Sequence, residues 1–345
     1  YRLLLNKGLI RISIAVPENA EFEVASVLNP YGCDEPDNLS LYRRPLPATN
    51  LGLVSAVMWD GRESSTQTGT QPIRYDSYTN DLRADLAHQA LDAVLGHMQG
   101  SAAPDEQELL AIADFEMGTA TAQAYDYRAG HLNARGASGG PKVLGRQTIP
   151  GFYLGINDSL GGNPRDTAFT PKIFNLFEAW TNESNGARAS IARGEALFNT
   201  RPIKIEGVAG LNDELHQSSI VGTCGTCHDT PNGGSHSLAA ALNIGVSDPD
   251  SSLDVSYLPV ITLQNKVTHE IKVTTDPGLA LITGRWKDIG KVKGPILRGL
   301  AARAPYFHNG SAATLGDVLD FYNNRFHMNL TAREKADLIA FLNSL

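Results

Sequence analysis

Cysteine is scarce in this chain. Only three cysteines stand among its 345 residues, and two of them, Cys224 and Cys227, belong to one short motif. A framework of disulfide bonds therefore cannot hold the fold together. Cys33 stands alone, and we expect it to be a small buried apolar residue. The alternative is that it pairs with a cysteine upstream of Tyr1.

Long apolar runs and excess positive charge are lacking as well. No run approaches the roughly 20 apolar residues that a membrane-spanning helix needs, so no transmembrane segment is predicted. The formal net charge is −8. That charge excludes a general affinity for nucleic acid or for an anionic membrane. The chain has neither an initiator Met nor a signal peptide, which favours a mature or truncated chain.

The length of the chain suits two domains better than one core. A polar junction near residues 181–187 predicts a first domain of residues 1–185 and a second of residues 186–345. The run R-G-E-A-L-F at 193–198, just after this junction, is typical of the first helix of a class I cytochrome c domain.

Hydrophobic periodicity predicts a helix-rich chain. Five segments show helical spacing of apolar residues, namely 81–98, 104–120, 188–198, 314–323 and 331–345. The last of these opens with Thr331 and has Glu334 three residues on, which predicts a capping box. Short β-like runs stand only near the N-terminus, and residues 134–165 and 201–292 are expected to be long loops. The predicted fold class is mainly α, as two cytochrome c-like domains with long loops and minor β.

One motif carries specific chemistry. Residues 224–228 read C-G-T-C-H, the attachment signature of c-type haem. Its two thiols add to the haem vinyl groups, and the adjacent His becomes the proximal ligand of the iron. A structural zinc site would need two more ligands, and no further Cys follows. We therefore predict covalent haem c on Cys224 and Cys227, with His228 on the iron.

The same motif serves electron carriers, peroxidases and oxidases, which differ in the sixth ligand of the iron and in the electron partner. The motif alone therefore does not identify the reaction.

Several short motifs near the C-terminus are more specific. They are G-P-I-L-R-G at 294–299, A-P-Y-F-H-N-G at 304–310, T-L at 314–315 and A-F-L at 340–342. Upstream, M-W-D-G-R occupies 58–62. Together these motifs resemble the bacterial di-haem cytochrome c peroxidases and their MauG-like relatives, over roughly residues 40–100 and 187–345. The resemblance implies two cytochrome c-like domains, each with its own haem motif.

Only the second haem motif is present in this chain, because residues 1–57 contain no C-x-x-C-H. We expect that the first haem belongs to an upstream or separate segment. The alternative is that this member of the family has lost it.

The resemblance implies a sixth ligand for the haem at His228. An ungapped count from Pro305 brings the ligand position of the family to Tyr322. Met328 is the alternative, since Met is the usual ligand in carrier cytochromes. Trp59 corresponds to the Trp that the family places between its two haems as an electron relay, although ordinary core packing is the other interpretation.

The resemblance also assigns residues around the first haem and the domain interface. Gln89 matches a distal Gln, and His97 stands near the position of a distal acid, where it could act as general acid/base. Arg62 and Arg298 are candidates for binding haem propionates or anchoring the interface.

The family also binds calcium between its domains. Arg44 stands here where the family has an Asn ligand, and a guanidinium cannot ligate calcium but can replace its charge. Calcium is therefore not predicted. His308 is expected to be a structural hydrogen-bonding residue rather than a ligand.

These features predict a periplasmic, or otherwise extracytoplasmic, redox protein. The main interpretation is a peroxidase-like or MauG-like oxidoreductase, which uses peroxide or relays electrons between haems. Its partner would be a small donor cytochrome or a protein substrate. The alternative is a pure electron-transfer cytochrome c with one haem.

The haem motif generates a first prediction. Intact mass after denaturation should equal the polypeptide plus haem, because two thioether bonds survive unfolding. A haem that extracts into acidified butanone would contradict covalent attachment.

Overall fold

The structure is a computed structural model that describes residues 2–32, 38–64 and 81–345. Cys33 lies outside these residues, so its burial stays a prediction. The fold is mixed, with 32% of residues in helices and 16% in strands. The prediction of a helix-rich chain with long loops is confirmed in part, but strand is more than the minor component expected.

Among the described residues the α-helices are short, and four of the eight stand in the second half of the chain. They are α1 Arg2–Lys7, α2 Leu82–Asp92, α3 Glu106–Gly118, α4 Pro141–Val143, α5 Gly186–Thr200, α6 Ala280–Thr283, α7 Leu315–Arg325 and α8 Ala332–Leu342. A π-helical turn, Ala93–His97, extends α2. None of these helices is long and apolar enough to cross a membrane.

The strands in the same part of the chain form small antiparallel sheets. They are β1 Ile10–Ala15, β2 Phe22–Leu28, β3 Asn38–Arg43, β4 Tyr125–Asp126, β5 Gly130–His131, β6 Ile203–Glu206, β7 Ser219–Gly222, β8 Ala241–Leu242, β9 Val260–Asn265, β10 Ile271–Thr274 and β11 Val292–Lys293. The pairs are β1–β3, β4–β5, β6–β7 and β8–β11, and β9 lies between β2 and β10.

The prediction that residues 201–292 form only a loop is wrong. Strands β6 to β10 lie wholly within this range, and β11 begins at its end. Most of them have two to four residues, too few for the alternation of apolar and polar residues to be read from the sequence. The longest, β9, does alternate, with Ile261 and Leu263 fully buried.

One strand pairing joins distant parts of the chain. β2 pairs with β9, for example Phe22 with Asn265. The two strands bury an apolar cluster that includes Phe22, Leu41 and Ile261. Residues on both sides of the predicted boundary therefore share one sheet, and the division into two cytochrome c-like domains stays a prediction.

The largest apolar core lies where α5 crosses α8. Phe174, Phe198 and Phe341 meet there with ring centroids 5.2–5.7 Å apart. The crossing is close because α5 presents a glycine to α8. An ideal Cβ at Gly194 would stand 2.0 Å from the Asp337 carbonyl oxygen.

Local signals at the helix ends were read correctly. The Thr331 hydroxyl accepts from the Glu334 amide, and the Glu334 carboxylate accepts from the Thr331 amide, so the predicted capping box is confirmed. Asp105 and Thr314 form the same box at α3 and α7. Such caps depend on residues three apart, which is why the sequence reveals them.

The helix crossing generates a second prediction. Gly194→Ala should lower the free energy of unfolding by about 1–3 kcal/mol, the typical cost of forcing a methyl group into a packed contact. Gly186→Ala is the matched control, because an ideal Cβ there meets nothing within 4 Å. Denaturant unfolding of both variants measures the difference, and equal stabilities would contradict the crossing.

Candidate haem site

The C-G-T-C-H motif forms a tight turn. Cys224–Thr226 is a 3₁₀ turn, and the amides of Cys227 and His228 both donate to the Cys224 carbonyl, at 3.3 and 3.1 Å. The Thr223 hydroxyl accepts from the Gly225 amide and holds the start of the turn. Both cysteines and the histidine remain half-buried. The turn thus leaves three reactive side chains accessible within five residues.

A carbonyl group fixes the orientation of the His228 ring. The His228 Nδ1 atom lies 2.7 Å from the Gly234 carbonyl oxygen. Because a carbonyl can only accept, this assigns the proton to Nδ1 and leaves the Nε2 lone pair free. Burial lowers the pKa of His228, which keeps the imidazole neutral. A neutral imidazole held by a carbonyl is the form that binds metals.

The two thiols do not resemble a redox-active pair. Burial raises the pKa of Cys224 and of Cys227 to about 12. Dithiol oxidoreductases instead lower the pKa of the attacking thiol. The environment of these thiols therefore does not favour the thiolate that dithiol exchange needs.

An apolar cluster adjoins the motif. Both cysteines pack on a cluster whose buried members are Ile203, Ile205, Val208, Leu211, Leu242, Phe326 and Met328. Other apolar side chains on this cluster are only partly buried, among them Leu160, Leu215, Ile220, Ile244, Tyr322 and Leu330. Partly covered apolar side chains around two thiols suit a flat apolar ring system, so the residues fit a haem group.

Both candidates for the sixth ligand belong to this apolar cluster. Tyr322 lies on α7 and stacks on Phe326, with ring centroids 6.2 Å apart. Burial raises the pKa of Tyr322, and the nearby thiols Cys227 and Cys224 add to the effect. Met328 lies in the turn after α7 and is buried. The fold therefore brings both predicted residues to the apolar cluster beside the motif.

Arg298 fits an anionic group. Its side chain is 1% exposed, and its only direct hydrogen bond is a long one of 3.4 Å to the Asn232 carbonyl, while Nε has no partner among the described residues. Burial lowers the pKa of Arg298 to about 10, although the nearby Glu195 carboxylate acts in the opposite direction and raises it. Asn232 stands in the same loop as Gly234. A buried guanidinium without a bonded carboxylate is costly, and a haem propionate would compensate it.

A second layer holds the motif from behind. The buried Asp229 carboxylate accepts from the Ser237 amide at 2.6 Å and lies 3.0 Å from Nδ1 of His236. Burial lowers the pKa of His236, but Asp229 and Asp158 outweigh that effect, so the pKa is raised. Sequence analysis missed this pair, and the Asp directly after the motif was the available signal.

Trp59 lies close to the motif. Its indole Nε1 donates to the Arg44 carbonyl at 2.8 Å, and its ring meets the His308 ring edge-on at 6.0 Å. The Trp59 carbonyl accepts from the Lys293 amide. The next residue is Gly294, and an ideal Cβ built on it would lie 3.6 Å from the Cys227 carbonyl oxygen. One short strand end therefore separates the W-D-G-R segment from the haem motif.

A buried ion network fixes that segment. Arg43 bonds Asp276 through Nε and Nη2, at 2.6 and 2.8 Å, and bonds Asp60 through Nη1. Arg62 bonds Asp60 as well, at 3.1 Å, and its role at a propionate or at the domain interface stays a prediction. Burial lowers the pKa of His308 to about 4, so this ring is a neutral hydrogen-bonding group, as expected. Sequence analysis missed Arg43 and Asp276, which are 233 residues apart.

The predicted distal residues lie on or after α2. Gln89 is half-buried on α2, whereas His97 is exposed on the π-helical turn. No described residue encloses His97, and its catalytic role stays a prediction. Arg44, at the position of the family's calcium-binding Asn, donates from Nη1 to the Arg303 carbonyl at 2.7 Å.

Comparisons with known proteins were made for sequence and for structure. A family profile described as RoxA-like, cytochrome c-like matches residues 292–328. Cytochrome-c peroxidase IdrP1 of Pseudomonas sp. (strain SCT) is 29% identical over 190 residues, which is 49% of this chain and 43% of that protein. Cytochrome-c peroxidase IdrP2 of Denitromonas iodatirespirans is 33% identical over 135 residues, 36% of each chain. The chain thus spans less than half the length of these curated relatives.

Among solved structures, a MauG-like protein associated with microbial copper homeostasis aligns with 93% of this chain and 76% of its own. The TM-score is 0.43 and the identity 18%. The sequence relatives and the cytochrome c-like profile confirm the family resemblance predicted from the motifs.

A third prediction concerns the buried Glu195, the carboxylate whose charge raises the pKa of Arg298. Burial raises its pKa from 4.5 to about 7, although the amides of Leu176 and Phe177 donate to it. The folded state then binds the proton more tightly than the unfolded state, so stability falls as pH rises from 4.5 to 7.

Glu195→Gln should remove this part of the pH dependence. Denaturant unfolding of wild type and variant at several pH values between 4.5 and 7.5 gives the comparison. Parallel stability profiles would contradict the raised pKa.

Proposed function

We propose that this chain belongs to the di-haem cytochrome c peroxidase and MauG-like family and is a c-type haem redox protein that works outside the cytoplasm. The observation that carries the proposal is the C-G-T-C-H turn, in which Nδ1 of His228 lies 2.7 Å from the Gly234 carbonyl oxygen and both cysteines pack on the apolar cluster. An extracytoplasmic site, the periplasm in particular, is where c-type haem is attached and where a donor cytochrome would meet the protein.

Each residue of the site has a stated role in this proposal. Cys224 and Cys227 hold the haem through thioether bonds, and His228 binds the iron through Nε2. Burial keeps that ring neutral, and the Gly234 carbonyl holds the proton on Nδ1. Arg298 compensates a propionate from within the core. When bound, the haem supplies an iron that changes its oxidation state.

Tyr322 is the proposed sixth ligand. Burial keeps the phenol protonated at neutral pH, so the proton must leave when the oxygen binds the iron. A phenolate oxygen is a hard ligand that stabilises the ferric state and lowers the reduction potential, whereas a Met thioether raises it. Tyr322 therefore favours oxidising chemistry over simple electron carriage.

Trp59 is the proposed electron relay to a second haem. Its indole is held on one side by the Arg44 carbonyl and on the other by the His308 ring, which limits its movement. The second haem and its motif would come from a segment outside this chain, as the two cytochrome c-like domains of the family imply. Gln89 and His97 would serve that haem, with peroxide as oxidant.

The second candidate is a pure electron-transfer cytochrome with one haem. It is favoured by Met328, which is buried in the same apolar cluster as Tyr322. The two functions differ in the sixth ligand, so one pair of variants separates them. A small donor cytochrome, or a protein substrate for the enzyme, is the proposed partner.

The ligand assignment generates the fourth prediction. Tyr322→Phe should change the ferric haem spectrum and raise the reduction potential, because the phenolate is lost. Met328→Leu is the matched control and should leave both unchanged. Spectra, redox titration and peroxide-dependent oxidation of a reduced cytochrome c should be measured on each variant.

The opposite pattern would overturn the assignment. If Met328→Leu removes a near-infrared charge-transfer band and Tyr322→Phe changes nothing, then Met328 is the ligand. Absence of peroxide turnover in the full protein would then favour the carrier.

A further inference from the structure

Three side chains with metal-binding atoms converge away from the haem motif. They are Glu63, in the turn that follows W-D-G-R, and His88 and Asp92 on α2. Their ligand atoms all lie within 4.8 Å of one another. The His88 Nδ1 atom lies 3.1 Å from Glu63 Oε2. Neither the proposed haem site nor the relay uses any of these residues.

The three ligands come from two well-fixed segments. His88 and Asp92 are four residues apart on α2, so they share one face of the helix. The turn that carries Glu63 is closed by the Ser64 amide on the Gly61 carbonyl and by the Val57 amide on the Ser64 hydroxyl. Little ordering is therefore needed to bring the three groups onto one ion.

The charges at this cluster also call for a cation. The Glu63 side chain is only 11% exposed, and its one ion pair within the described ranges is with His88. Asp92 has no ion pair in those ranges. Two carboxylates beside a single imidazole leave an excess of negative charge, and the more buried carboxylate is poorly solvated.

We propose that Glu63, His88 and Asp92 bind a divalent first-row transition metal ion such as Zn²⁺. One imidazole nitrogen and two carboxylate oxygens form a donor set that zinc accepts, and water completes the coordination at the exposed side. Calcium fits less well, because it takes oxygen ligands and more of them.

A metal here links α2 to the segment that carries Trp59. The first turns of α2 already pack through Leu82 and Leu86 on Leu53 and Val57. The ion adds a second attachment at the far end of the helix. It is a structural clamp, and its binding does not depend on whether the proposed function is right.

Zinc binding by the haem-loaded protein tests the proposal. After dialysis against EDTA, wild type should bind one Zn²⁺ at this site in calorimetry, and Zn²⁺ should raise its melting temperature. Loss of a mere hydrogen-bond partner of a metal ligand weakens binding roughly 10–100-fold, so His88→Ala and Glu63→Gln should each weaken it at least about tenfold.

His269→Ala is the matched control, because that imidazole is exposed in the turn between β9 and β10. It should bind Zn²⁺ as wild type does. The proposal is overturned if wild type shows no stoichiometric binding, or if His88→Ala and Glu63→Gln bind as tightly as His269→Ala.

Discussion

The buried guanidinium of Arg43 is the interaction on which much of this structure depends. It lies between two buried carboxylates, Asp60 and Asp276, which come from opposite ends of the chain. Removing one partner of such a group leaves an uncompensated buried charge, at a typical cost of about 3–5 kcal/mol. The network therefore holds β3, the W-D-G-R turn and the segment after β10 in one arrangement. His308 and Trp59 take their places around it.

The haem motif depends on this arrangement at one remove. The position of Asp60 fixes the neighbouring Trp59, whose carbonyl accepts from the Lys293 amide. The next residue, Gly294, lies beside the Cys227 carbonyl. On the other side, Asn157 donates to the Asp229 carbonyl and Ser159 to the Thr226 carbonyl. The motif turn is thus held from two directions, and its two thiols pack on the apolar cluster.

Charge is distributed unevenly around this centre. Arg298 is buried without a bonded carboxylate, which favours an anionic group of the haem. Within the described ranges, Glu63 and Asp92 beside the W-D-G-R turn have excess negative charge, which favours a cation. These two imbalances are of opposite sign and favour two separate ligands.

The sequence by itself determined what depends on near neighbours. The C-G-T-C-H turn, the Thr331 capping box and the helical spacing of α5, α7 and α8 rest on contacts within a few residues, so a short motif predicts them. Only the tertiary structure decided that Tyr322 and Met328 share one apolar cluster, that β2 pairs with β9, and that Arg43 meets Asp276. Those contacts form because burial brings distant segments together, and the choice of a distant partner carries no local signature in the chain.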